Sequence, residues 1–190
     1  MLTPAQRLDQ FAEITADVLW LFSQADLRRP VPSCPGWNIA DLVAHLGKAH
    51  RWAEHAVRAG NPNAPVVSPP LTDGAALAEW YRESAAGLLS TLREVGPDAE
   101  CWSFGPRPRT TGFWFRRQPH EAAVHRWDLG AALGGDRGYP EALAVDGIDE
   151  VVTMFFPRQV RLKRIPPLTA SLAVRADGHE AGWVLAGDGV

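Results

Sequence analysis

The stretch PHEAAVHRWDLG, residues 119 to 130, sets a glutamate and a histidine four positions apart, Glu121 and His125, with Asp128 three positions further on. On a helix, positions i and i+4 share one face, so the carboxylate and the imidazole aim at one region of space. Together they could hold one ion. Asp128 is placed either to orient a ligand as an outer hydrogen-bond acceptor or to serve as a surface charge or loop cap. By spacing alone the pattern is weak, because glutamate and histidine often sit four apart on solvated helices. Its meaning depends on what faces this helix.

Working outward, the periodicity predicts three helices before it. The first runs from about Thr3 to Asp26, with Thr3 and Gln6 as a capping box, Pro4 in the first turn, and Leu8, Phe11, Thr15, Val18, Leu19 and Phe22 on one face. RPVPSCPGW ends it. The second opens at Asn38, with Asp41 as its capping partner, carries Ile39, Leu42, Val43, Leu46 and Ala49, and stops near Gly60. The third spans about Asp73 to Val95, striped by Leu77, Trp80, Tyr81, Leu88 and Leu92 and ended by Gly96 and Pro97. The fourth holds the opening motif and ends at Gly134 and Gly135; Pro119, lacking a backbone donor, must begin or kink it. Four amphipathic helices suggest a bundle, a fold that builds metal sites from facing helices.

His45 supplies the facing donor. Leu42, Ala49 and Trp52 lie at i−3, i+4 and i+7 from it, which places its imidazole on the bundle-facing stripe. A core histidine satisfied by a backbone carbonyl is the bland alternative for any one such residue. His50 shares a second stripe with Leu46, Ala53 and Val57 and stands as a reserve ligand. His120 points about 100° away from Glu121 on the helix. His55, between Arg51 and Arg58, and His179, in a turn, read as surface residues. Two imidazoles and one carboxylate are the ligand set of catalytic zinc, which keeps a position open, although other divalent transition metals accept the same donors.

Bulk properties bound the class. The chain has 190 residues, 46% hydrophobic and 22% charged, and a formal charge of −3, which describes a globular protein with no electrostatic case for nucleic acid. MLTPAQRLDQ lacks the features of a signal peptide and no apolar run reaches membrane length, so a cytoplasmic protein without membrane partners is expected. Two cysteines imply no disulfide framework. Cys34 could act as a nucleophile, but no neighbouring sequence feature activates it, and a structural thiol is the simpler reading. Arg107, Arg109, Arg116 and Arg117 form a local basic cluster able to receive substrate carboxylates, or simply a solvated loop. Trp102, Phe104, Phe113 and Trp114 line a pocket or fill the core.

From Tyr139 onward the pattern changes. AVDGIDEVVTMFF reads as one more helix, and TASLAVRADGHEAGWVLAG as two strands around an Ala-Asp-Gly turn. A lone hairpin is barely stable, so it must pack on something or extend a larger sheet. Residues 1–138 are thus expected to form a helical metal-binding domain and 139–190 a partial or reduced α/β domain, an α+β chain overall.

CPGWNIADLVAHLGKAHRW (34–52) and HEAAVHRWDLGAALG (120–134) together resemble the mycothiol-dependent maleylpyruvate isomerase family. The resemblance implies a DinB-like four-helix bundle followed by the start of a small SCP2-like α/β domain, with His45, Glu121 and His125 at the positions of the family's metal triad. It further implies zinc and mycothiol, the small thiol of actinobacteria, as cosubstrate with a small-molecule electrophile. Thiolate would add to a conjugated double bond, allow rotation and leave, turning cis into trans; transfer of mycothiol to an electrophile is the related activity. The family's smaller domain normally continues beyond two strands, so substrate contacts are expected to be reduced here, or the exposed edge to pair in a homo-oligomer. Two other classes stay open: a non-catalytic metal-binding or interaction module, closed by a fourth ligand such as His50, and a metal-dependent hydrolase.

Overall fold

The computed structural model describes residues 2–135 and 138–189. They divide into two compact units, Thr3–Gly138 and a second that begins at Tyr139. The first holds α1 (Pro4–Phe22), α2 (Ile39–Ala59), α3 (Gly74–Val95) and α4 (Gly112–Ala132). The second holds α5 (Glu141–Glu150), a π-helical turn (Val151–Phe155), α6 (Phe156–Arg161), β1 (Leu168–Arg175) and β2 (Gly182–Gly187). The fold is α+β, a helical bundle with a small α/β element.

Local sequence starts the helices where it should. Thr3 and Gln6 form a reciprocal capping box at α1, and Asn38 and Asp41 form another at α2. Gly60 closes α2 in the left-handed conformation that glycine adopts without a Cβ clash. One boundary needs correction, and one open alternative is decided. Helix α1 ends at Phe22, because Ser23 turns back on Leu19 and the apolar stripe has run out, so residues 23–25 turn out of the helix. Pro119 does not begin α4; the helix starts seven residues earlier, at Gly112, and carries the proline in its interior. An interior proline costs about 3 kcal/mol. Packing offsets it: Trp114 and Phe115 in those added turns are buried, and the Trp114 indole donates to the Trp102 carbonyl at 2.9 Å.

The bundle core is assembled from all four stripes. Val18 and Leu21 of α1, Leu42, Val43 and Leu46 of α2, Leu77 and Tyr81 of α3 and Leu129 of α4 share one cluster. Each fully buried leucine contributes about 1.5–3 kcal/mol relative to exposure. Helix α1 packs on α4 and α2 on α3, while α2 also touches α4. Gly47 permits the α2–α3 approach, since a Cβ there would lie 2.1 Å from the Trp80 ring. At one end, Trp52, Trp102, Phe104, Phe113 and Trp114 pack against one another with ring centroids 4.7–6.4 Å apart, mostly edge to face.

In the second unit the helix expected after Tyr139 runs from Glu141 to Arg161, with one π-helical turn in its middle. Strands β1 and β2 pair antiparallel, Val174 opposite Trp183 and Leu172 opposite Leu185, with an irregularity between Leu168 and Leu172. The Trp183 indole donates to Asp149 of α5 at 2.9 Å and ties the hairpin to its own unit's helix. Among the described residues, no helix is long and apolar enough to cross a membrane.

Candidate metal centre

Helix α2 contributes His45 and α4 contributes Glu121 and His125, one turn apart. His45 Nε2 lies 3.0 Å from Glu121 Oε1, and His125 Nε2 lies 3.6 Å from the same oxygen. The two imidazole centroids are 4.9 Å apart, with the rings near perpendicular. All three donor atoms fall within 4.8 Å of one another. Donors at about 2.05 Å from a tetrahedral ion stand about 3.3 Å apart, so these spacings fit a small divalent cation such as zinc. Borderline-soft nitrogen and one carboxylate oxygen suit the same class of ion.

The far side of His125 is held as well. Its Nδ1 lies 2.8 Å from Asp128 Oδ2, and Asp128 is buried. Cys34 Sγ is 3.7 Å from that same Oδ2, within reach of a weak S–H donation. Cys34, His125 and Asp128 thereby form a second group of donors in mutual reach. The loop before α2 delivers this thiol. Val31 donates to the Trp37 carbonyl, Cys34 to Val31 and Trp37 to Cys34, and Gly36 supplies the left-handed residue the turn requires. The same turn sets the Trp37 ring 4.9 Å from His45 and 6.1 Å from His125.

The charges interlock. Burial opposes ionisation of Glu121, but hydrogen bonds from His125 and His45 and the charge of Arg117 hold its carboxyl far below the usual range. Burial likewise opposes charge on His125, yet Asp128 and Glu121 outweigh it and raise the imidazole to about 9. Asp128 is lowered against its burial chiefly by the hydrogen bond from His125. The Cys34 thiol is pushed up, by burial first and then by the Asp128 charge, which makes it a poor nucleophile.

The other expected residues are distributed differently. His50, the reserve ligand, falls in neither donor group: it is fully buried, its Nδ1 is 2.7 Å from Gln118 Oε1, its Nε2 has no hydrogen-bond partner among the described residues, and Phe11 packs on it edge-on. Burial lowers its pKa to about 4. His120 is also buried and belongs to neither donor group. His55 approaches Asn61 at 3.4 Å, and His179 is an exposed turn residue. The arginine cluster is split. Arg117 donates to Glu121 Oε2. Arg116 is its neighbour on α4. Arg107 and Arg109 instead line a cavity of about 660 Å³ with Asp98, Glu100 and Gly60. Gly60 lies fifteen residues beyond His45, about 22 Å along α2 at 1.5 Å per residue.

Sequence reasoning missed Trp37 and the placement of Cys34, because both depend on a turn rather than on helical spacing. It also missed Gln118, whose only sequence signal is its position three residues before Glu121 on the same helical face.

Residues 8–130 match the family described as the mycothiol maleylpyruvate isomerase N-terminal domain. That span runs from α1 nearly to the end of α4 and includes every donor above. Among solved structures, a mycothiol-dependent maleylpyruvate isomerase matches with a TM-score of 0.59 and 23% identity, covering 83% of this chain and 72% of that one. A histidine-to-alanine mutant of a mycothiol-dependent maleylpyruvate isomerase matches with the same TM-score and coverage at 21% identity. Both are likenesses of fold. No protein of curated function matches the chain. Through its bundle, the chain belongs to the mycothiol maleylpyruvate isomerase family.

Proposed function

We propose that this protein is a mycothiol-dependent enzyme in which His45, Glu121 and His125 hold a divalent metal ion, zinc foremost, and that it isomerises a small cis-unsaturated acid of the maleylpyruvate type. The observation that carries the reading is the convergence of two imidazole nitrogens and one carboxylate oxygen from facing helices in a family member. The His45 side chain is 39% exposed, so the donor set is open to solvent on one side. A structural ion would instead need a fourth protein ligand, and the candidate, His50, lies outside the donor group. A bound divalent ion would lower the pKa of a coordinating thiol and supply thiolate near neutral pH.

The chain's own residues then have defined tasks. Asp128 accepts from His125 Nδ1, fixing the tautomer that leaves Nε2 as the donor. Trp37 covers His45 and gives one wall of the site an apolar face. In the reaction, the thiolate sulfur adds to one carbon of the conjugated cis double bond and the electron pair moves to the carbonyl oxygen. Rotation about the new single bond follows, the pair returns, and the thiolate leaves with the trans product. No group is consumed, and Glu121 and the histidines are ligands, not acid–base catalysts.

The test is the initial rate of cis-to-trans conversion of maleylpyruvate by metal-loaded protein, with mycothiol, without it, and after chelation. Turnover should need both thiol and metal. Conversion without mycothiol would overturn the thiol-dependent mechanism, and no conversion with both thiol and metal present would overturn the isomerase assignment.

A further inference from the structure

The two oxygens of Glu121 are divided between different partners. Oε1 faces His45 and His125, whereas Oε2 accepts a hydrogen bond from Arg117 Nη2. The pair is well sheltered, with side chains 14% and 20% exposed. Helix stability does not explain it, because a basic residue four positions before an acidic one is the less favourable order on a helix. Nor would lysine serve equally, since a guanidinium is always charged, weakly hydrated and rigid enough to fix one carboxylate oxygen.

We infer that Arg117 is a positioning residue for the proposed metal centre: by holding Oε2 it leaves Glu121 a single oxygen to offer the ion, and it gives the loaded centre a net positive charge that draws thiolate in preference to a neutral ligand. This inference rests on the metal reading of His45, Glu121 and His125. A glutamate free to bind through both oxygens would occupy two positions on the ion and crowd the one a thiol must take. With Oε2 engaged by Arg117, that position stays available. The charge follows from the neighbours. Glu121 and Asp128 together balance a divalent ion, so the Arg117 guanidinium leaves one positive charge, which a single thiolate neutralises. Without Arg117 the loaded centre would already be neutral, and an arriving thiolate would leave it negative.

The experiment titrates cobalt-loaded protein with 2-mercaptoethanol at neutral pH and follows the sulfur-to-cobalt charge-transfer band in the parent, Arg117→Gln and Arg117→Lys. All three should show a cobalt spectrum. In Arg117→Gln the apparent thiol affinity should fall on the order of tenfold or more, the scale expected for a unit charge removed from a partly buried site. Arg117→Lys, which keeps the charge, should recover most of it. Arg117→Met is the second neutral form if glutamine disturbs the fold by circular dichroism. Loss of cobalt from both folded neutral forms would contradict the inference, which has the ion stay bound without the guanidinium charge. A neutral variant that titrates like the parent, with an unchanged cobalt spectrum, would overturn the inference alone. A parent that takes up no cobalt would overturn the metal centre and this inference with it.

Discussion

His125 Nδ1 and Asp128 Oδ2 stand 2.8 Å apart, one helical turn from each other on α4, while the opposite nitrogen of the same ring faces Glu121. A ring held this way offers Nε2 in a fixed direction, and such outer partners of a ligating histidine are worth roughly 10- to 100-fold in metal affinity. Asp128→Asn should therefore weaken zinc binding by about that factor in a chelator competition, while the helical signal is retained. Undiminished affinity in that variant would assign Asp128 to packing alone.

The buried His50–Gln118 pair makes stability depend on pH. Native His50 stays neutral down to about 4, whereas in the unfolded chain it titrates near its model value of 6.5. Between those values the unfolded state binds more protons, so stability rises with pH. This contribution is complete above pH 6.5 and is lost progressively as pH falls to 4, a change of about 3 kcal/mol. Urea unfolding at pH 7 and pH 4.5 should show that loss in the parent. A double variant, His50→Leu with Gln118→Leu, removes both partners together and should show a smaller one. Equal pH dependence in the two proteins would contradict the buried neutral imidazole.

Gly47 sets the spacing of α2 and α3. Glycine in a helix interior costs about 1 kcal/mol relative to alanine, so Gly47→Ala should stabilise the protein if propensity alone decided. The added methyl would meet the Trp80 ring at 2.1 Å, and overpacking of this kind costs about 1–3 kcal/mol. A net loss of stability is expected in thermal or urea unfolding, with recovery when Trp80→Leu is added. A more stable Gly47→Ala protein would show that the ring moves aside freely.

The parts legible in the sequence are those set by helical period and by local caps. The Thr3/Gln6 and Asn38/Asp41 boxes and the Gly60 stop occur where their residues place them. The spacings of His45 on one helix and of Glu121 and His125 on another also bring these three side chains together. What periodicity could not reveal depends on tertiary packing. Pro119 has a strong local preference for a helix start, and the burial of Trp114 and Phe115 overrides it. The arginines are near neighbours in sequence, but residues 107 and 109 lie in the loop before α4 while 116 and 117 lie on it, so the cluster divides. Cys34 reaches Asp128 across 94 residues of chain through a turn that no helical or strand period encodes.

The central claim is that His45, Glu121 and His125 hold one metal ion. Elemental analysis of purified parent, His45→Ala and His125→Ala proteins, each checked for an intact helical signal, tests it most directly. The parent should carry about one divalent ion per chain and both variants should lose it. Equal metal content in all three proteins, or none in a parent supplied with zinc, would contradict the account.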